Sequence, residues 1–179
     1  EGKPVLPGVM GIESFAEIAQ WMLPGWRVDT VEAVNFHAPF KLYKGEARPA
    51  IVQATFRPDG DDVVAECSLS GSRTLPGMTI PETKIHFTAR VRMTKHAVEE
   101  GMVEPPAASN NGTARACVIY QLYFHGPAYR VLDAVWKTGD RVVGRMADQL
   151  PVHHHPPDKP LLVSPRSLEL CLQTAGIWE

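Results

Sequence analysis

The stretch GKPVLPGVMGIESFAEIAQWMLPG, residues 2–25, decides the fold. Pro7-Gly8 opens it and Pro24-Gly25 closes it, and both dipeptides interrupt regular structure. Between them apolar side chains stand at Val9, Met10, Ile12, Phe15, Ala16, Ile18, Ala19, Trp21, Met22 and Leu23. Wound at the helical period they cover most of the circumference, so the spacing predicts a buried helix from Pro7-Gly8 to about Leu23. Glu13, Glu17 and Gln20 recur at i, i+4 and i+7 and share one polar stripe.

Outward from this helix the pattern changes to period two. Arg27–Phe36 and Phe40–Tyr43 lie around Pro39 and are rich in strand-forming residues. Ala50–Phe56 and Val63–Leu69 flank Pro58-Asp59-Gly60, a hairpin signal. Lys84–Thr94 alternates most regularly, with Ile85, Phe87, Ala89, Val91 and Met93 on one face and His86, Thr88, Arg90, Arg92 and Thr94 on the other. EEGMVEPPAASNNG (99–112) has two prolines, two asparagines and no periodicity, and reads as a linker between a first unit, 1–98, and a second, 113–179. In the second, Cys117–Phe124 is β-like or mixed, and Val131–Lys137 and Arg141–Met146 flank a Thr138-Gly139-Asp140 turn. Residues 148–160 form a loop with four prolines and three histidines, and Pro165–Trp178 is a second, largely apolar helix whose Glu169 and Gln173 share a face. One buried helix followed by an antiparallel meander predicts an α+β fold with a sheet wrapped round the helix, and the second unit looks like a similar one ending at its helix.

Composition removes whole classes. The 179 residues carry 18 Lys+Arg against 20 Asp+Glu, a net charge of −2, with 44% hydrophobic and 21% charged residues. That is a globular composition, not a disordered one. The balanced charge gives no reason to bind nucleic acid, and no apolar run approaches the roughly 20 residues of a membrane helix. Cys67, Cys117 and Cys171 are widely spaced with no CxxC, which fits free thiols in a reducing, cytoplasmic compartment. There is no GxSxG, phosphate-binding glycine loop or dinucleotide fingerprint. The chain starts at Glu1 and its last residues read as mid-helix, so a piece of a longer polypeptide, cut at both ends, is expected.

Gly2 and Pro7-Gly8 match the second half of an HxxxGxxxxPG pattern. In this the chain resembles the central-helix start of 3-hydroxyacyl-carrier-protein dehydratases, which have the hotdog fold. The His of the pattern would fall three residues before Glu1. Phe124-His125-Gly126-Pro127-Ala128-Tyr129 resembles the (Y/H)GPxF/Y motif of polyketide synthase dehydratase domains, and PRSLELCLQ (165–173) is similar to their second-hotdog motif. Glu169 stands where that family usually has Asp, and Ser164 precedes the proline where His is frequent. The resemblance runs from the first helix to the last, in order, and extends to the dehydratases of polyunsaturated-fatty-acid-type synthases. It implies a double hotdog, here truncated at both ends.

The implied reaction is loss of water from a 3-hydroxyacyl thioester held on an acyl carrier protein, giving the 2-enoyl thioester in polyketide or fatty-acid-type biosynthesis. Such chemistry needs a base at the α-carbon, an acid at the β-oxygen and donors for the thioester oxygen. The resemblance gives the base to the His upstream of residue 1, the acid to Glu169 and its orientation to Gln173. The N–H groups of Gly8 and Val9, at a helix N-terminus, would receive the thioester carbonyl. Burial on an apolar face would raise the pKa of Glu169, as an acid requires. The site would form between the two hotdogs. His125 and Tyr129 would line the acyl tunnel, or simply pack beside the Gly126-Pro127 turn. No metal or cofactor is needed. The expected partners are the acyl carrier protein and other synthase domains, with a homodimer allowed.

Other residues have plainer readings. Glu13 matches the carboxylate of single-hotdog dehydratases but reads here as structural. His37 is a strand residue. His153-His154-His155 lies in a proline-rich loop without a Cys or carboxylate at ligand spacing, so no metal site is expected. Arg90, Arg92 and Lys95 either meet an acidic carrier protein or form a solvated strand face. Two alternatives remain open: a stand-alone dehydratase or isomerase using Glu13, and a non-catalytic acyl-binding hotdog module.

Overall fold

The computed structural model describes residues 4–43, 47–73, 82–97, 101, 104 and 113–177. The chain divides into two compact units, Glu1–Glu99 and Glu100–Glu179. Nearly all of the expected linker, 99–112, lies outside the described residues.

In the first unit the helix α1 spans Gly8–Met22. It is followed by β1 (Arg27–Phe36), β2 (Ala50–Asp59), β3 (Asp62–Arg73) and β4 (Glu82–Thr94). These form one antiparallel sheet in the order β1-β4-β3-β2, and α1 packs against all four strands. Val9, Phe15, Ala16 and Ala19 of the helix are at most 1% exposed, and Ala65, Cys67 and Leu69 of β3 and Phe87, Ala89, Val91 and Met93 of β4 close over them. A side chain the size of Phe15, fully buried, contributes about 1.5–3 kcal/mol by transfer from water alone. The helix is not buried on all sides, as its circumference predicted: Trp21 and Met22 are exposed, while Ala19 and Leu23 at the same end pack on the core. Phe40–Tyr43 is not a strand. Only Lys41 pairs, with Val5, while the Leu6 amide donates to Phe40 O at 2.9 Å. This segment braces the run into α1.

The strand faces also differ in one place. Leu69 pairs with Phe87 but Ser70 pairs with Ile85, so His86 is an extra residue in β4. The bulge shifts the alternation by one. Ile85 turns outward and His86 turns in, 3% exposed. Its ring Nδ1 is 3.2 Å from Ala38 O, which fixes the proton on Nδ1, and its Nε2 accepts from Arg48 Nη2 at 3.1 Å. Burial holds the pKa of His86 below the ordinary imidazole value of 6.5, and neighbouring Arg48 adds to this. The unfolded chain therefore binds a proton that the folded one refuses, so stability is lost as the pH falls below the unfolded value toward the folded one. A His86→Phe variant is expected to flatten this acid slope, read from urea unfolding midpoints between pH 7 and pH 5.

The second unit holds β5 (Ala114–Arg115), α2 (Ala116–Leu122), β6 (Leu132–Thr138), β7 (Arg141–Met146) and α3 (Pro165–Gly176). The sheet order is β5-β6-β7, and α3 packs on β7 and β6. Both hairpins close over two residues, with Gly60 and Gly139 at φ +64° and +59°, where a side chain would be strained. Cys117–Phe124, read as β-like or mixed, is mostly the helix α2. Its β-branched and aromatic residues carry weak helix propensity, and packing of Ile119 against Leu132 and Val135 overrides it.

Among the described residues no helix is long and apolar enough to cross a membrane. Cys67 is a buried free thiol, pushed up to about 12 by burial and by Glu66; Cys117 and Cys171 are exposed and free.

Candidate active site

The most informative feature of the second unit is an inverted helix. On α3 the polar Glu169 and Gln173 are buried, at 9% and 2% exposure, while the apolar Leu172 is 53% exposed. A solvated i, i+4 pair would do the opposite. Buried polar groups persist only when they are hydrogen-bonded, and here they are. Gln173 Nε2 donates to Glu169 Oε1 at 2.9 Å and to Tyr129 O at 2.8 Å. His125 Nε2 lies 3.0 Å from the same Glu169 oxygen.

Two residues that the sequence reading missed orient this group. Tyr120 Oη donates to Gln173 Oε1 at 2.8 Å and itself accepts from the Leu132 amide at 2.8 Å. Its proton is thus committed to Gln173, which forces the amide nitrogen of Gln173 toward Glu169. Tyr123 Oη donates to Gln173 O at 2.9 Å. Tyr120 lies on α2, and Tyr123 is the extended residue that caps its C-terminus, its amide donating to Ile119 O at 3.0 Å. Arg166 reaches from α3 to donate to Ala128 O and Pro151 O, bracing the loops around Tyr129.

The electrostatics overturn one expectation. Burial does push the Glu169 carboxyl up, but donation from His125 and Gln173, with the charge of His125, outweighs it, and the carboxyl sits below its ordinary value. Sequence shows the burial and hides the donors. Any proton that Glu169 delivers near neutral pH must therefore come from the Glu169–His125 pair as a unit. In His125→Phe, which keeps the stacking on Phe124 (5.1 Å between ring centroids), only Gln173 opposes burial. Glu169 is then expected to titrate higher, measured by carbon-detected NMR of the side-chain carboxyl.

Tyr129 is 8% exposed and meets His153 edge-on at 5.7 Å. His154 Nε2 donates to Lys159 O at 3.1 Å. No group of three metal-ligating side chains occurs among the described residues.

In the first unit, the opening of α1 has no side-chain cap. Its first intrahelical bonds run from the Met10 and Gly11 amides to Pro7 O at 3.0 and 3.3 Å, so the Gly8 and Val9 amides precede the ladder. A Cβ on Gly8 would lie 2.7 Å from Phe36 Cε1. The glycine is thus required by an aromatic ring packed on the helix start. Glu13, one turn on, is 2% exposed and has a partner. His37 Nε2 bonds Thr88 Oγ1 at 2.8 Å along the sheet. Arg90 pairs with Glu32, and Arg92 with Asp59, Asp62 and Glu32, while Lys95 lies over the Trp26 ring. Those cations are occupied within the chain.

No protein-family description matches the chain. Polyketide synthase ThaG of Burkholderia thailandensis is 24% identical over 180 residues, which is 97% of this chain and 3% of that protein. A dehydratase structure bearing on substrate selection in the borrelidin and fluvirucin polyketide synthases superposes with a TM-score of 0.66 at 14% identity, covering 99% of this chain and 60% of its own. An inactive mutant of the CurJ dehydratase, solved with a bound compound, superposes with a TM-score of 0.67 at 16% identity, covering 98% and 59%. The chain thus spans about three fifths of the solved domains it matches. Motif order, helix-in-sheet architecture and these superpositions agree that this chain carries the hotdog fold of polyketide synthase dehydratase domains.

Proposed function

We propose that the chain dehydrates a 3-hydroxyacyl thioester carried on an acyl carrier protein, as part of polyketide assembly. The observation that carries this reading is the buried Glu169–Gln173 pair on α3, with His125 on the carboxylate. A buried carboxylate that carries both a histidine and an amide donor, on a helix whose apolar Leu172 faces outward, is the arrangement expected of a working acid.

In this reading the base is a His upstream of Glu1 and removes the α-proton. Electron density moves onto the thioester oxygen, which the Gly8 and Val9 amides receive. The C–O bond at the β-carbon then breaks, and the Glu169–His125 pair protonates the departing hydroxyl, so that water leaves. Gln173 holds the carboxylate oxygen facing His125, and Tyr120 holds Gln173. Glu reaches one methylene further than the Asp its family resemblance predicts, and His125 takes up that longer carboxyl. The elimination is redox-neutral, so no cofactor is called for. The test is conversion of a synthetic 3-hydroxyacyl thioester to the enoyl thioester by the natural polypeptide containing this chain. An absence of enoyl product from both free and carrier-bound substrates overturns the reading.

A further inference from the structure

The first unit carries a cationic cavity that the proposed dehydration does not use. It has a volume of about 400 Å³ and is lined by Lys41, Arg48, Gly71, Glu82, Lys84 and His86 among others. The β4 bulge makes it possible by turning His86 inward under Arg48. The guanidinium of Arg48 is fixed on several sides. Nη2 donates to His86 Nε2 at 3.1 Å and Nη1 to Lys41 O at 2.8 Å. The guanidinium carbon sits 4.2 Å from the centre of the Phe40 ring. Gly71 leaves room beneath it, since a Cβ there would come within 3.1 Å of Nη2 and 2.7 Å of Phe40 Cε2.

None of these contacts is a carboxylate. Among the described residues Lys41, Arg48 and Lys84 form no ion pair, although Arg57, Arg90, Arg92, Arg115 and Arg145 all do. Three cations therefore face one cavity with, among the described residues, a single carboxylate, Glu82, on its wall. An arginine held rigidly by neutral groups has already lost its side-chain entropy and keeps most of its five donors. A planar donor fork flanked by two ammonium groups on flexible stems suits a tetrahedral anion approached from several directions, and phosphate is the anion for which such sets are assembled.

We propose that this cavity binds the phosphate group of a phosphate ester. The site does not depend on the dehydratase reading. Free phosphate and the phosphate of a pantetheine arm present the same chemistry, and the two sources are separable. Titration of the protein with inorganic phosphate, 4′-phosphopantetheine and unphosphorylated pantetheine, followed by calorimetry and phosphorus NMR, is the experiment. The expected result is saturable binding of one phosphate per chain, weakened by salt and absent for pantetheine. Affinity for 4′-phosphopantetheine at least tenfold above that for inorganic phosphate assigns the site to the carrier arm, and equal affinities assign it to the phosphate group alone. Lys84→Gln and Lys41→Gln, whose side chains form no ion pair among the described residues, are each expected to weaken binding about threefold to tenfold, and Arg48→Gln more. Arg57→Gln, at the other end of the β2–β3 ladder from the Ala50–Gly71 rung and ion-paired with Glu66, should leave it unchanged. Phosphate that does not saturate, or that binds the Lys41→Gln/Lys84→Gln double variant as tightly as the parent, overturns the proposal. These readouts need no turnover, so they stand apart from any failure of the dehydration assay.

Discussion

Glu169→Gln is expected to lower the rate of water loss by about 10²–10⁴-fold, the usual contribution of a positioned acid, with little change in substrate affinity. The substitution keeps the shape of the side chain. Its carbonyl oxygen can still accept from Gln173 and His125, which now meet Glu169 Oε1 at 2.9 and 3.0 Å. What it removes is the ionisable carboxyl, and with it the proton exchange of the Glu169–His125 pair. Thermal unfolding near neutral pH should therefore move far less than activity does. Glu13→Gln is the companion variant and should retain most of the rate, because Glu13 reads as a structural carboxylate of α1. The opposite pattern, with Glu169→Gln active and Glu13→Gln dead, would place the acid on the first helix. At acid pH the parent should also lose the stability that Glu169 provides. Its folded pKa is depressed, so that stability is complete above the ordinary carboxylate range and disappears as the pH falls through the folded value.

In the core of the first unit, Phe87→Ala should cost about 3–5 kcal/mol, as for other buried aromatic truncations. Phe87 is 4% exposed, meets Phe36 edge-on at 5.3 Å, and lies directly over Gly11 of α1. A Cβ on Gly11 would come within 2.8 Å of Phe87 Cε2. Gly11→Ala alone is therefore expected to destabilise by about 1–3 kcal/mol through overpacking. In the Phe87→Ala background the ring is gone. There the same substitution should turn favourable by up to about 1 kcal/mol, the difference in helix propensity between alanine and glycine. A double-mutant cycle in urea measures this change of sign. Costs for Gly11→Ala that are equal in both backgrounds would falsify the packing account.

How far the residues themselves announce this structure varies along the chain. The interval from Pro7-Gly8 to Leu23 carries its helix in plain view, because both ends are punctuated and the apolar spacing has one period. The strand over 27–36 and both hairpins are equally legible, since turn residues sit between runs of alternating side chains. The region over 117–124 is not, because a seven-residue helix rests on contacts of Ile119 with a distant strand rather than on local propensity. His86 shows the same limit in a strand. Its neighbours alternate correctly, but a single extra residue in the ladder reverses which side faces the core, and the partner strand sets that register.

At the candidate site the motifs name Glu169, Gln173, His125 and Tyr129, the last of which meets Gln173 through its main-chain carbonyl. Their arrangement was not readable. A motif records identity and spacing along one chain, so it brings Gln173 to Glu169 across a helix turn and says nothing of Tyr120, which arrives from another element. The protonation of Glu169 follows the same division. Sequence alone determined that a carboxylate lies on a helix among apolar neighbours, which argues for a raised pKa. Only the tertiary structure decided otherwise, because hydrogen-bond donors act over about 3 Å, and groups 44 residues apart in sequence, His125 and Glu169, reach that distance only when the fold brings them together.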